Sequence, residues 1–255
     1  MVTYRFISCN ARTQTPADGE QQFMNRVDFL CETLLALDAD VIGLQEIKPE
    51  MRKAMIERMP GYGFLGSGRD AAHLDEGAVI AYKQTRLMPE RLFSEILSPT
   101  PHICGSTYGG DQSPCPRVFS SVDFMPIDGG QPFRFMNVHT DHVGENARKL
   151  AVMQMQQHYA AQNALRPMPT VVTGDFNALP NTLEIQMMTA QKTFYDLSKD
   201  LAGTFHGYDN EPVNEKIDYI FATHEWQVKE IWAPHPKQGN LFFSDHDPII
   251  ADVII

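Results

Sequence analysis

An aspartate and an asparagine stand two residues apart in the segment TGDFN, at Asp175 and Asn177. They follow the apolar run of residues 169–172, where a buried strand is expected to end. Both residue types favour turns over strands, so an ordinary turn would explain them. A carboxylate and an amide at this spacing can also hold a water molecule and take its proton. The choice depends on which other polar groups the fold brings to the same place.

The same arrangement recurs at the ends of other predicted strands. If those ends meet, one rim would hold nine polar side chains: Asn10, Glu46, His139, Asp141, Asp175, Asn177, Asp218, Asp245 and His246. Taken singly, most of them have an ordinary explanation as a turn residue, a helix-start acid or a structural ion pair. Asp218 is harder to dismiss, because an unpaired carboxylate is costly inside a buried strand. A shared site explains the whole set better than nine coincidences.

Metal-assisted hydrolysis of a phosphate ester is the chemistry that suits such a set. The oxygen ligands of Glu46, Asn10 and Asp245 favour Mg²⁺ or Mn²⁺ over zinc. The metal would polarise the phosphoryl oxygens and stabilise the leaving oxygen.

The remaining groups could activate the attacking water and stabilise the transition state of that reaction. Asp175 can orient or deprotonate the attacking water, with Asn177 fixing it by hydrogen bonds. A histidine held by a carboxylate, such as His246 with Asp218, can donate to the negative charge of the transition state.

The hydrophobic pattern indicates the elements that must position these groups. A helical stripe runs through Phe23, Val27, Leu30, Leu34 and Leu37, and further helices are predicted from about Pro49 and over 145–163. Strands are predicted at residues 3–9, 41–44, 78–82, 118–124, 133–138, 170–173, 217–221, 228–231 and 248–255. Each half of the chain offers strand, helix and strand. Two packed sheets with helices outside is therefore the expected architecture.

Length and composition favour a single soluble domain. With 255 residues, 43% of them hydrophobic, the chain can bury a substantial core, and we expect one catalytic domain over residues 1–255. No segment reaches the length of a membrane span and the first residues lack a signal-peptide core, so we expect a cytoplasmic protein, although a chain whose signal peptide had been removed would look the same. We also expect a monomer. The four cysteines have no metal-binding spacing and are expected to be reduced, although Cys104 and Cys115 could bridge a loop.

The charge balance bears on the substrate. The chain has 32 acidic and 21 basic residues, a net charge of −11. Proteins that bind duplex nucleic acid usually present a basic surface. The acidic net charge of this chain therefore disfavours a large nucleic-acid substrate. A small anionic substrate is compatible with this balance if a metal cation supplies positive charge. The Pro-, Gly- and Ser-rich residues 98–116 predict a long surface loop, which we expect to shape substrate choice.

In their order and spacing, six segments resemble the endonuclease/exonuclease/phosphatase superfamily of metal-dependent phosphoesterases. They are SCN (8–10), GLQE (43–46), NVHTDH (137–142), TGDFN (173–177), IDYIF (217–221) and SDHDP (244–248). The resemblance implies a four-layered α/β sandwich whose halves are related by a pseudo-twofold axis. Two positions after Asn10 the chain has Arg12, where the abasic-site nucleases usually have an acidic residue. This difference weakens a DNA-repair assignment.

The resemblance also implies a role for each matching residue. Glu46 is the implied metal ligand, with Asn10 and Asp245 nearby. Asp175 and Asn177 are implied to position the nucleophilic water. His139 and His246 are implied to form hydrogen bonds with the scissile phosphate. Two carboxylates support these histidines: Glu76 for the first and Asp218 for the second.

Substrate-reading residues are implied by similarity to a compact bacterial group within the superfamily, carried by GSGRD (66–70) and HTDHVGENAR (139–148). They are Arg69, Asp141, His142 and Arg148. Local explanations stay open: Asp141 or Glu145 could cap the third helix, and Arg148 could lie on its exposed face. Arg117 stands where many members carry a phosphate-binding residue, although it could equally be a solvated charge at a strand start.

Three hypotheses follow. The leading one is a Mg²⁺- or Mn²⁺-dependent hydrolase of a small or exposed phosphoester, as phosphodiesterase or phosphatase. The second is a DNA or RNA nuclease of the same fold, which the acidic balance disfavours. The third is a non-catalytic binding module, which a missing acid or histidine would favour, and none is missing.

Overall fold

Strands and helices alternate in two successive halves of the chain. The computed structural model describes residues 2–209 and 215–255. Its strands are β1 Thr3–Asn10, β2 Val41–Ile47, β3 Tyr62–Leu65, β4 Gly77–Lys83, β5 Leu87–Ile96, β6 Val118–Pro126, β7 Phe133–His139, β8 Thr170–Asp175, β9 Tyr195–Asp196, β10 Asp218–Ala222, β11 Gln227–Trp232, β12 Lys237–Gln238, β13 Leu241–Phe242 and β14 Ile249–Ile254. Its α-helices are α1 Phe23–Leu37, α2 Pro49–Arg58, α3 Glu145–Leu165 and α4 Leu183–Ala190, and a 3₁₀ helix spans Pro16–Gln21.

Within the described residues, two mixed six-stranded sheets pack against each other. Their strand orders are β11-β14-β1-β2-β4-β3 and β5-β6-β7-β8-β10-β9. Each sheet has a central parallel pair joined by a helix, β1-α1-β2 in the first and β7-α3-β8 in the second. Antiparallel strands flank both pairs. The two orders correspond position by position, which confirms the predicted α/β sandwich with pseudo-twofold halves.

Three apolar layers hold the sandwich together. The predicted stripe of α1 is buried with α2 against the outer face of the first sheet, and α3 and α4 cover the second sheet in the same way. Between the sheets lies an aromatic cluster of Tyr4, Phe6, Phe133, Phe135 and Trp226. The rings of Phe6 and Trp226 meet edge to face with centroids 5.3 Å apart, a favourable geometry for aromatic pairs. The two sheets therefore form one firmly packed support for the strand ends.

A polar network crosses between the sheets. Asn137 on β7 donates to the carbonyl oxygens of Leu44 and Val79 at 2.9 and 3.0 Å, and its Oδ1 accepts from Gln45 at 2.6 Å. A Cβ at Gly43 would lie 2.0 Å from the Thr173 hydroxyl, so this close approach requires glycine. The network holds β2 against the second sheet where its pairing with β4 becomes irregular, between Leu44 and Ile47.

The sequence pattern missed several elements. No strand was predicted for β3 or β5 and no helix for α4. β5 lies at the edge of its sheet and is largely half-exposed, with Pro89, Glu90 and Arg91 in its sequence, so it lacks the apolar run of a buried strand. Asp218 begins β10 rather than lying inside it. All four cysteines are free thiols, and residues 98–116 contain neither strand nor helix, as expected of a loop.

Candidate active site

The carboxyl ends of both parallel strand pairs meet at one rim of the sandwich. Asn10 lies opposite Gln45 in the first sheet, and His139 and Asp218 both lie opposite Asp175 in the second. A cavity of about 570 Å³ opens there. Among the residues that line it are most of the predicted site residues: Glu46, Arg69, Glu76, Arg117, His139, His142, Asp175, Asn177, Asp245 and His246. Asn10 and Asp218 are buried behind them, in hydrogen-bond contact with Asp175 and His246.

Glu46 is held at the cavity by its backbone and by two donors. Its φ is +65°, a left-handed conformation that is uncommon for residues other than glycine and often marks a functional site. Its Oε2 accepts from the backbone N–H of Thr13 at 2.8 Å, and its Oε1 accepts from Nδ2 of Asn10 at 3.0 Å. Oδ1 of Asn10 accepts from the N–H of Arg12 at 2.9 Å. The carboxylate is thus fixed before any ligand binds.

Asp175 is the centre of the hydrogen-bond pattern. Its Oδ1 accepts from the N–H of Asn177 at 2.8 Å, and its Oδ2 accepts from Asn10 at 3.0 Å. Nε2 of His139 lies 3.5 Å and Nε2 of His246 lies 3.9 Å from the same Oδ2. Asn177, with a φ of +47°, points its amide at Nε2 of His139 at 3.0 Å and at the carbonyl of Thr140 at 3.2 Å. The acid and amide of TGDFN therefore sit between the two histidines.

His246 forms a buried pair with a carboxylate. Its Nδ1 lies 2.8 Å from Oδ2 of Asp218, and the Phe205 ring packs on the imidazole with centroids 4.9 Å apart. Thr204 connects the two segments that carry this pair. Its hydroxyl accepts from the N–H of Asp218 at 3.2 Å, and its carbonyl accepts from the N–H of Asp247 at 2.7 Å.

The two histidines are placed in opposite electrostatic environments. Burial, then the charges of Arg117 and Arg69, lower the pKa of His139 well below its usual range. Burial also acts against protonated His246, but the Asp218 carboxylate outweighs it and the pKa of His246 stands well above 6.5. Burial, followed by the charge of Asp218, raises the pKa of Asp175 to about 7. At neutral pH the site therefore holds one neutral and one cationic imidazole.

Two arginines occupy another side of the cavity. Arg69 pairs with Asp75 at 2.8 Å and with Glu76 at 2.9 Å, so Glu76 contacts an arginine instead of the expected His139. Nη2 of Arg117 donates to Nδ1 of His142 at 2.6 Å. Arg117 is 4% exposed, so it is not a solvated charge at a strand start.

Two residues predicted to read substrate lie outside the cavity. Asp141 has structural contacts: it accepts from the N–H groups of Val143, Gly144 and Ser113 and from the Ser113 hydroxyl, and its Oδ2 lies 3.6 Å from Nε of Arg117. These contacts fix the segment that leads into α3. Arg148 is not on an exposed helix face but pairs with the buried Glu184 at 2.6 Å. The predicted helix cap by Asp141 or Glu145 is wrong, because the first helical N–H groups, those of Asn146 and Ala147, donate to Asp111. The pattern also gave no sign of the partner of Arg148.

Sequence reasoning missed several residues of the cavity and its support. Arg12 lines the cavity between Asp18 at 2.9 Å and Asp245 at 3.5 Å. Phe205 and Cys115 also line it, and Thr204 lies behind. Thr204 and Phe205 belong to an irregular segment whose sequence shows no hydrophobic periodicity. They reach the site through contacts with residues distant in sequence, Thr204 with Asp218 and Phe205 with His246. The inclusion of Cys115 shows that the end of loop 98–116 forms part of the wall.

The residues present fit a divalent cation. Glu46 and Asp245 share the cavity, and burial together with the nearby charge of Glu46 raises the pKa of Asp245. A cation between such like charges would relieve their repulsion, and oxygen donors suit Mg²⁺ or Mn²⁺. Around Glu46, ligand atoms of His139 and Asp175 lie within 4.8 Å of one another and of the glutamate. The donors grouped nearest to Glu46 thus include residues outside the predicted trio of Glu46, Asn10 and Asp245.

Residues 7–246 match the sequence profile of the Endonuclease/Exonuclease/phosphatase family. The chain belongs to this family. The predicted superfamily is therefore confirmed, and with it the prediction that the protein is a phosphoester hydrolase.

Solved structures agree over the whole chain. An endonuclease/exonuclease/phosphatase from Bacteroides vulgatus is 27% identical with a TM-score of 0.92, and the match covers 100% of both chains. A mannosyl-6-phosphatase from Bacteroides thetaiotaomicron is 25% identical with a TM-score of 0.91, covering 99% of this chain and 100% of that one. TDP2 from D. rerio, solved with a single-strand DNA product, is 17% identical with a TM-score of 0.71 over 99% of each chain, which shows a shared fold. Within residues 2–209 and 215–255, no helix is long and apolar enough to cross a membrane.

Proposed function

We propose that this protein hydrolyses a phosphoester bond in a small phosphate-containing substrate, with Mg²⁺ or Mn²⁺ as cofactor. The observation that carries the proposal is the set of contacts around Asp175, with Asn177, His139, Asn10 and His246 within 3.9 Å of its carboxylate or of one another. The phosphatase among the similar structures supports the same chemistry.

Asp175 has the geometry of a group that orients and deprotonates water. One of its oxygens is held by the Asn177 backbone and the other by Asn10, so the carboxylate cannot rotate away. Its burial excludes bulk solvent, and a fixed carboxylate beside the cavity can align one water molecule with the phosphorus atom. Asn177 supplies the second contact to that water.

The two histidines act on the phosphate oxygens. His246, kept cationic by Asp218, donates from Nε2 to charge that develops on a phosphoryl oxygen. His139 is neutral and lies against Asn177 and Asp175, where it contacts a second oxygen. Donors fixed before the reaction stabilise the transition state without having to reorganise.

The charge of the cavity explains why a cation is needed. Its described lining has five carboxyl side chains, of Glu46, Glu76, Asp175, Glu215 and Asp245, against three arginines, Arg12, Arg69 and Arg117, and the cationic imidazole of His246. A phosphate anion would meet net repulsion there. Glu46 and Asp245, with Asn10, would hold the metal, which when bound supplies charge stabilisation to the phosphoryl oxygens.

A small substrate is favoured over nucleic acid for the same reason. Duplex binding draws its affinity from basic contacts to successive phosphates, whereas acids outnumber bases both in this cavity and in the chain. We propose that residues 1–255 act as one catalytic domain. A monomeric state and a cytoplasmic location stay predictions.

The test is a panel of phosphoesters with Mg²⁺, Mn²⁺ or EDTA. We expect turnover of a small phosphoester with one of the metals, its loss in EDTA, and its loss in Asp175→Asn and His246→Ala. The exposed Asp200→Asn is the matched control and should retain full activity. Absence of turnover with either metal would disprove the proposal, and duplex DNA or RNA as the best substrate would establish the nuclease alternative.

A further inference from the structure

A second groove lies between α2 and the segment that connects β3 to β4. Its volume is about 530 Å³, a size typical of small-molecule pockets. The described residues that line it and those that line the catalytic cavity form two separate sets. Ile47 and Val79 are buried at its base, and Ile56 is half exposed on its wall. The groove is therefore a distinct concave site with an apolar part.

The hairpin of residues 66–77 separates the groove from the catalytic cavity. Gly68 and Gly77 form an antiparallel bridge, and the N–H of Arg69 donates to the carbonyl of Glu76 at 3.0 Å. A Cβ at Gly77 would lie 2.6 Å from a backbone oxygen of the opposite arm, so the two arms approach too closely for any other residue there. Both glycines line the groove, whereas Arg69 and Glu76 line the catalytic cavity. The two sites are thus the two sides of one thin wall.

Three cationic side chains from the start of α2 and its flank line the groove: Lys48, Arg52 and Lys53. None of the three has an ion-pair partner among the described residues. Arg52 is half-buried and uses two of its five N–H groups on the carbonyls of Phe64 and Gly66. Burial lowers the pKa of Arg52, as expected of a cation without a counter-charge. Such a cation favours the binding of an anion.

Two carboxylates also line the groove, but they leave an excess of positive charge. Asp75 is bonded to Nε of Arg69 at 2.8 Å, so its charge is already compensated from the far side of the hairpin. Glu57 is exposed and makes no ion pair with Lys53, one turn before it on α2, in the described structure. This local charge contrasts with the net charge of −11 of the whole chain.

We propose that the groove binds a small organic anion with an apolar body, and that the bound anion fixes the hairpin of residues 66–77. The anionic group meets the free donors of Arg52 and the ammonium group of Lys53, and the apolar body lies along Ile47 and Val79. Because the hairpin carries two residues of the catalytic cavity on its other side, a molecule in the groove acts on that cavity without entering it. The site goes beyond the proposed reaction and does not depend on it.

The probe for this site is anilinonaphthalene sulfonate, an aromatic anion whose fluorescence rises in apolar surroundings, titrated into the full chain. Ile56→Glu and Ile56→Lys remove the same exposed side chain from the wall and differ in charge alone. We expect the glutamate variant to bind the probe more weakly than the lysine variant, on the order of 10-fold in Kd.

Lysine variants locate the site on the chain. Lys53→Met removes an exposed cation of the groove and should weaken binding of the probe. Lys229→Met is the matched control, because Lys229 is exposed on β11, at the opposite edge of the same sheet from β3. The control should bind the probe like the wild type.

Hydrogen exchange followed by mass spectrometry tests the effect on the hairpin. Saturating probe should slow exchange of residues 66–77 in the wild type and in Ile56→Lys. At the same probe concentration, exchange of this segment in Ile56→Glu should stay close to that of the free protein.

Three results would overturn the proposal. Absence of probe binding to the wild type would remove the site, and equal Kd values for Ile56→Glu and Ile56→Lys would place the probe outside the groove. Probe that binds in the groove but leaves the exchange of residues 66–77 unchanged would refute the effect on the hairpin. Each result is independent of whether the protein hydrolyses a phosphoester.

Discussion

Nδ1 of His246 lies 2.8 Å from Oδ2 of Asp218, while the other oxygen of that carboxylate is buried without a hydrogen-bond partner in the described structure. An isolated buried charge is costly, and this one is compensated by the imidazolium that it creates. The pairing raises the pKa of His246 against the opposing effect of burial. Asp218 therefore sets both the orientation and the charge of His246.

Replacing Asp218 by asparagine should remove activity without unfolding the protein. The amide keeps the size of the side chain but cannot hold a cationic imidazole, so we expect kcat to fall on the order of 10²- to 10⁴-fold. The measurement is steady-state kinetics together with urea unfolding. His246→Gln and the double variant complete a cycle in which the second change should add little to the first. Additive losses would show that the two residues act independently.

Thr204 should matter for the same pair without touching substrate. Its hydroxyl accepts from the N–H groups of Ile217 and Asp218 at 3.2 Å each. Thr204→Val keeps the shape but leaves two backbone donors unpaired, one buried and one half-buried, so we expect a loss of about 1–3 kcal/mol in unfolding free energy and a lower kcat at similar KM. Thr204→Ser retains the hydroxyl and should behave like the wild type. If the valine variant were as stable and as active as the wild type, the hydrogen bonds of the Thr204 hydroxyl would contribute nothing.

Polar residues at the ends of apolar runs made much of the site predictable. Asp175, Asn177 and His139 lie at or just after the ends of strands whose apolar sequences predict that they are buried. Parallel strands bring these ends to one edge of the sheet. The contacts of Thr204 and Arg148 could not be predicted from the sequence. Their partners, Asp218 and Glu184, are distant in sequence, and no local period reports such a contact. Glu76 shows the same limit, because its position was recognised but its partner, Arg69, was not.

Asn177 allows a test that separates backbone strain from catalysis. Its φ of +47° suits glycine but not alanine, and its amide contacts His139 and Thr140. Asn177→Gly and Asn177→Ala both lose that amide, so both should reduce kcat on the order of 10²-fold, as loss of one positioned donor does. Urea unfolding should find the alanine variant less stable than the glycine variant by about 1 kcal/mol. Equal stabilities would contradict strain at this position.

Asp141 gives a prediction for stability against pH. Burial alone would raise the pKa of this carboxyl, but hydrogen bonds from Gly144, Ser113 and Val143 outweigh it and lower the pKa from 3.8 to about 2. The folded state thus favours the ionised form. The stabilisation is complete above the unfolded value near pH 4 and is lost as the pH falls toward 2.

Asp141→Asn should therefore destabilise the protein by roughly 2 kcal/mol at pH 7, and the difference from the wild type should shrink to about half near pH 3. Urea unfolding of both proteins at pH 7, 5, 4 and 3 measures that difference, and other carboxyl groups cancel because they titrate in both chains. The exposed Asp200→Asn is the control, with a difference near zero throughout. A deficit for Asp141→Asn that stayed constant from pH 7 to pH 3 would show that the amide fails by shape, and that the charge of Asp141 contributes nothing.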